Sequence, residues 1–149
     1  MFQHYLITRF NLKKEGWDTS KNNIPVLTEE WLERRFKLFE TFCFPSVKHQ
    51  SNQNFTWFVY FDVDTPKVFK DRILGLSLGY SNFQPQFVEN MQAFVPAIQE
   101  ELNKVNAAYI ITSRIDNDDC IAYNYIADVQ KRFVEKDHWA FDYADGFTL

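Results

Sequence analysis

The sequence predicts an α/β domain of Rossmann-like, three-layer α/β/α architecture with a mostly parallel sheet. Three observations carry that expectation. Short β-branched and aromatic runs recur along the chain, amphipathic segments with helical spacing separate them, and the run 55–61 is apolar almost throughout. A strand covered on both faces reads as such a continuous run, and strands alternating with helices build a parallel sheet through right-handed crossovers.

Tyr5-Leu6-Ile7-Thr8-Arg9-Phe10 reads as the first strand, with a polar loop running from Asn11 to Asn23. Thr28 ahead of Glu29 and Glu30 is an N-cap followed by acids suited to the positive end of a helix. Leu32, Phe36, Phe39 and Cys43 then share one helical face, which Trp31, Leu38 and Phe42 widen, and Pro45 is expected to end the helix. The second strand is 55–61, and Asp62, Asp64 and Pro66 mark its turn. Residues 67–76 read as a helix, the Gly75 to Gly79 stretch as a turn, and 83–88 as a short strand. Met91, Phe94, Ile98, Leu102 and Val105 line one face of a further helix. Pro96 is tolerated only near a first turn, so that helix is expected to begin close to Val95 and to end near Asn106. A buried strand at 107–112, a helix through Ile121, Tyr125, Val129 and Phe133, and a final strand at 139–143 complete the order β-α-β-α-β-α-β-α-β.

The length of 149 residues fits one domain. With 46% hydrophobic residues, 16 Phe, 7 Tyr and 4 Trp against 4 Gly and 5 Pro, the chain is expected to pack an aromatic core, and disordered or collagen-like classes are excluded. The 16 Lys+Arg against 20 Asp+Glu leave a net charge of −4, and basic residues cluster only in pairs such as Lys13-Lys14 and Arg34-Arg35. A general nucleic-acid binder needs more than that, whereas a phosphorylated ligand held through a metal is compatible. Cys43 and Cys120 form no CxxC pair and are expected to be free buried thiols of a reducing compartment. No apolar run approaches the roughly 18 residues of a membrane span or the length of an export signal, so no transmembrane segment is expected and the location reads as cytoplasmic or membrane-peripheral.

Ligands of open α/β sheets bind beyond the carboxyl ends of the strands. Three such places are polar: Thr8, Arg9 and Asn11; Asp62 and Asp64; and Arg114, Asp116, Asp118 and Asp119. Asp116-Asn117-Asp118-Asp119 puts three carboxylates within four residues, a repulsive arrangement that a hard cation offsets. Mg²⁺ or Mn²⁺ would take oxygen ligands from Asp116 and Asp118 together with water and a diphosphate, and Arg114 would meet a phosphate oxygen or orient a carboxylate. The competing reading is structural: Asp and Asn favour turns, Asp118 or Asp119 would cap the following helix, and Asp62 and Asp64 would form an Asx-turn. His4, His49 and His138 stand apart from any nucleophile pattern and read as surface or edge histidines. There is no GxGxxG, P-loop or HExxH motif.

Arg9-Phe10-Asn11 at the end of the first strand, Phe44-Pro45-Ser46-Val47 followed by Gln50, Tyr60-Phe61-Asp62, and above all Ser113-Arg114-Ile115-Asp116-Asn117-Asp118-Asp119 resemble the bacterial rhamnosyltransferases. The stretch 142–147 also has that look. The family is similar to nucleotide-sugar glycosyltransferases of the A-type fold, and the resemblance runs over nearly the whole chain. It implies a single donor-binding domain over 1–149, with Asp116 and Asp118 as the Asp-x-Asp metal and diphosphate element and Mn²⁺ or Mg²⁺ as cofactor. Asp62 would contact the nucleoside, Arg9 would lie in the nucleotide pocket, and Arg114 and Asp119 would support the site. The implied reaction passes a sugar, dTDP-rhamnose being one donor, to a hydroxyl of a glycan or lipid-linked sugar acceptor. No catalytic base is assigned, Asp142 and Asp145 being the only late acids after Asp137. The alternative is a truncated, non-catalytic α/β module that binds a partner or associates with itself as a homo-oligomer.

Overall fold

A computed structural model of the chain describes residues 1–20, 25–143 and 146. Residues 21–24 of the first loop, and 144, 145 and 147 of the 142–147 motif, lie outside the described residues, as does Asp145 among the late acids. The elements run β1 (Phe2–Arg9), α1 (Glu29–Leu38), a π-helical turn (Phe39–Cys43), α2 (Phe44–Lys48), β2 (Thr56–Asp62), α3 (Lys67–Gly79), β3 (Phe83–Val88), α4 (Met91–Asn103), β4 (Tyr109–Arg114) and α5 (Tyr125–Lys131). The four strands form one all-parallel sheet in the order β3-β2-β1-β4.

That order explains the layers. From β1 through β2 to β3 the chain steps outward in one direction, so right-handed crossovers put α1, α2 and α3 on one face; the return past β1 to β4 reverses direction and puts α4 on the other. Alternation along each strand fills both faces. Leu6, Trp57, Val59, Phe61 and Phe83 pack against Leu32, Phe36, Phe39, Phe44 and Ile73, while Tyr5, Ile7, Phe58, Tyr60 and Val88 pack against Phe94. Phe36 is fully buried at the centre of the first layer, stacked on Phe69 at 5.2 Å and on Phe61 at 6.2 Å, with Phe10 at 4.6 Å.

Several expectations need correction. Pro45 does not end the first helix, because the preceding turn widens: the Phe44 amide donates to the carbonyl of Phe39, five residues back, and Pro45 then sits in the first turn of α2, where its missing N–H costs nothing. Helix α4 begins at Met91, not near Val95, since the Asn90 side chain caps it by accepting from the Ala93 amide at 3.0 Å, and Pro96 is carried inside. Gly75 and Gly79 belong to α3, not to a turn. Residues 139–143 form no strand. Trp139, Phe141 and Tyr143 are 53%, 40% and 42% exposed, Tyr143 donating to Asp128 at 2.5 Å and packing on Tyr125 at 5.4 Å. Their β-preference finds no ladder to join, and strand preference depends on such neighbours. His4 is buried within β1, and Cys120 is exposed while Cys43 is buried; both thiols are free. Among the described residues no helix is long and apolar enough to cross a membrane.

Candidate functional site

All four strands point the same way, so their carboxyl ends share one edge. The chain reverses direction between β1 and β4, and a crevice at such a switch point is where open α/β sheets bind ligands. A cavity of about 490 Å³ opens there, lined by Arg9 at the end of β1, Phe10 and Leu12 beyond it, Asp116, Asn117 and Asp118 beyond β4, Trp31 and Arg35 from α1, and Trp17 from the first loop.

Local structure presents each of these groups. The Asp116 carbonyl accepts from the Asp119 amide at 3.2 Å, closing a turn in which Asn117 points inward. Asn117 is 5% exposed and donates to the Phe10 carbonyl at 3.0 Å, tying the end of β4 to the end of β1 and leaving Asp116 and Asp118 at the cavity wall. The Cys43 thiol donates to the Asp116 carbonyl at 3.5 Å, and burial pushes its pKa up, so it stays a neutral donor. Burial, then Asp118 and Asp116, raise the Asp119 pKa, the expected signature of crowded carboxylates. Trp17 is presented by a turn that closes from its amide to the Lys14 carbonyl at 3.1 Å, with Gly16 at φ +73°, a left-handed conformation that glycine adopts without strain.

Behind the acidic turn, the residues that follow Pro45 hold the chain in place. Ser46 Oγ accepts from the Ile121 amide at 3.3 Å. Gln50, 4% exposed, donates to the carbonyls of Ser46 at 2.9 Å and Ala122 at 2.7 Å and accepts from the Ile126 amide at 3.0 Å. The segment 121–124, expected to be helical, is instead a strapped loop into α5.

Of the residues singled out in sequence, the structure brings Arg9, Asp116 and Asp118 to the cavity; Thr8, Asn11, Asp64 and Asp119 do not line it, nor do Asp62 and Arg114. Asp62 is buried in its own turn: it accepts from the Asp64 amide at 2.8 Å and the Lys13 amide at 3.3 Å, its amide donates to Asn11, and its carboxylate lies 3.6 Å from Lys13 Nζ. That is the Asx-turn arrangement. Lys13 also meets Asp64 at 2.5 Å, and this bond holds the Asp64 carboxyl below its usual range. Arg114 pairs in register with Ile7 and so faces the α4 side. It also lines a second cavity of about 530 Å³ that runs along the outer edge of β4 beside α5, with Tyr109, Trp139 and Phe141.

Trp17, Trp31 and Arg35 were not foreseen as site residues. The Arg35 guanidinium lies 5.1 Å over the Trp31 ring and pairs with Asp118, also donating to Asn117 Oδ1 at 3.2 Å, and Trp17 meets Trp31 edge to face at 6.1 Å. The i, i+4 spacing of Trp31 and Arg35, on the helix that directly follows β1, is the signal that marks them. For a hard divalent cation the donor set offers Asp116 and Asp118, and no group of three or more His, Cys, Asp or Glu converges among the described residues. Two carboxylates suit Mg²⁺ or Mn²⁺ only where water and substrate phosphates complete the octahedron.

Searches of curated proteins and of solved structures return no significant match. The family model described as "Putative rhamnosyl transferase" matches residues 3–149. A match spanning the sheet, the acidic turn and the strap that holds it places the chain in that rhamnosyl transferase family.

Proposed function

We propose that the β1/β4 crevice is the donor site of a glycosyltransferase that takes a nucleoside-diphosphate sugar, with dTDP-rhamnose the donor the family name favours. The observation that carries the reading is the joint presence, at the sheet's switch point, of Arg9, Arg35, the Asp116/Asp118 pair and the Trp17/Trp31 wall around one cavity. Arg35 supplies a forked donor suited to phosphate oxygens, Arg9, whose Nη1 meets Met91 Sδ at 3.6 Å, would turn a second toward them, and the indole rings offer an apolar wall for a base or sugar face. The lining charges of the two arginines and two aspartates cancel, so an incoming diphosphate brings excess negative charge. A divalent cation held by Asp116 and Asp118 would offset that charge and the charge that develops on the departing diphosphate. The acceptor would be a glycan or lipid-linked sugar hydroxyl.

Calorimetric titration with dTDP, UDP and GDP, with and without Mn²⁺, tests the reading. The wild type is expected to bind dTDP more tightly with Mn²⁺, and Asp118→Ala to lose that gain. Absence of binding by any of the three, in either condition, overturns it. A second reading, a binding or self-association module, draws on the outer edge of β4, which pairs with no strand among the described residues and is flanked by exposed Trp139 and Phe141. A concentration-independent monomer mass in solution would count against it.

A further inference from the structure

The donor cavity already contains a cation of its own. Arg35 reaches from α1 to the acidic turn, its guanidinium over the Trp31 ring and its Nη1 shared between Asp118 Oδ2 and Asn117 Oδ1. The side chain is 29% exposed, so the pair is partly shielded from solvent, and an arginine cannot relieve the contact by losing its proton. With a guanidinium on its Oδ2, Asp118 has part of its charge neutralised, and a divalent cation taken by either oxygen binds against the repulsion of that fixed positive charge.

We propose that Arg35 is the resident counter-cation of this site: it withholds Asp118 from a divalent metal until a donor's diphosphate draws the guanidinium away, so that metal and nucleotide enter together. The proposal rests on the reading of the crevice as a donor site. The guanidinium fork fits phosphate as well as carboxylate, which makes the exchange of partners feasible. Asn117 keeps Arg35 within the cavity during that exchange. Its Nδ2 is committed to the Phe10 carbonyl at 3.0 Å, which orients Oδ1 toward the guanidinium whether or not Asp118 is engaged. Trp31 fixes the other side, so the cation is positioned before the ligand arrives.

The test titrates Mn²⁺ alone, followed by electron paramagnetic resonance, into the full chain as wild type, Arg35→Gln, and Arg35→Gln with Asp118→Asn. Arg35→Gln is expected to bind Mn²⁺ at least tenfold more tightly than wild type, and the added Asp118→Asn to abolish the gain. Arg35→Met, which keeps a long unbranched side chain without the charge, replaces the Gln variant if that fails to fold. Equal Mn²⁺ affinity in wild type and the Arg35 variants, or a gain that survives Asp118→Asn, overturns the proposal. In a second arm, dTDP is expected to raise the wild-type Mn²⁺ affinity at least tenfold and that of Arg35→Gln by much less. A dTDP that binds without changing the wild-type Mn²⁺ affinity overturns the exchange. If dTDP does not bind, the arm is run with UDP and GDP, and failure of all three overturns the donor reading instead, with the metal-alone comparison still deciding what Arg35 does at Asp118.

Discussion

Replacing Gln50 by Leu removes the strap behind the acidic turn while keeping its approximate volume. In the wild type the Gln50 amide satisfies the Ile126 N–H, one of the first amides of α5 that has no partner within the helix, and Asn124 provides no side-chain cap in its stead. Ile126 is fully buried, so in the variant water does not replace that bond, whereas the carbonyl of exposed Ala122 regains solvent. A buried unsatisfied amide costs roughly 1–3 kcal/mol and each lost neutral hydrogen bond about 1 kcal/mol net, which gives about 2–4 kcal/mol for Gln50→Leu. At roughly 2–4 °C per kcal/mol for a chain of this size, the melting temperature falls by about 5–15 °C. Urea unfolding measures the loss, and amide exchange at Ile126 localises it. A variant within about 0.5 kcal/mol of wild type, with Ile126 exchange unchanged, would refute the assignment of Gln50 as the strap.

Three further outcomes follow from buried groups. Phe36→Ala leaves a cavity among Phe10, Phe61 and Phe69, and chemical denaturation should show a loss of about 3–5 kcal/mol; a loss under 1 kcal/mol would mean that this layer repacks freely. Tyr60 Oη is buried without a hydrogen-bond partner among the described residues, so Tyr60→Phe should leave stability unchanged or raise it by about 1 kcal/mol, and a clear loss on thermal unfolding would reveal a partner. Burial lowers the His4 pKa to about 4 from its ordinary 6.5. The unfolded chain therefore binds the extra proton first, and stability should fall by on the order of 3 kcal/mol as pH drops from about 6.5 to about 4. His4→Gln should flatten the urea midpoint over that interval, and an unaltered slope would locate the pH dependence elsewhere.

The His4 network also fixes a chemical role. Gln130 Nε2 donates to the Asn54 carbonyl at 2.8 Å and its Oε1 accepts from Asn52, so Nε2 is the atom facing His4 Nδ1 at 3.3 Å. Nδ1 is then an acceptor and Nε2–H donates to Ser113 Oγ at 2.9 Å. The imidazole is in the tautomer that cannot take a proton from Ser113 at Nε2, and the pair ties β1 to β4 and α5; it does not activate a nucleophile.

Much of the fold was legible because its signals are local and periodic. The apolar run ending at Phe61, the i, i+4, i+7 face of Leu32, Phe36 and Phe39, and the Thr28 cap each depend on residues within a turn or two of one another. The crevice was legible in part from strand ends: Arg9, the last residue of β1, and Asp116, two residues past β4, both line it. Arg114 lies away from the crevice because its direction is set by pairing with Ile7, and Asp62 because Lys13 and Asn11, about fifty residues earlier, close around it. The strand expected at 139–143 failed for a related reason: aromatic content favours a strand only where a ladder is available.

By itself the sequence determined the α/β class, the parallel sheet and the position of the acidic turn after a buried strand, because apolar periodicity and turn chemistry act over a few residues. Only the tertiary structure decided the strand order β3-β2-β1-β4, and with it the crevice between β1 and β4 where Trp17, Trp31 and Arg35 meet Asp118. Contacts between residues 17, 35 and 118 arise from the direction in which each crossover returns to the sheet, a property of the closed fold that no short stretch of sequence contains.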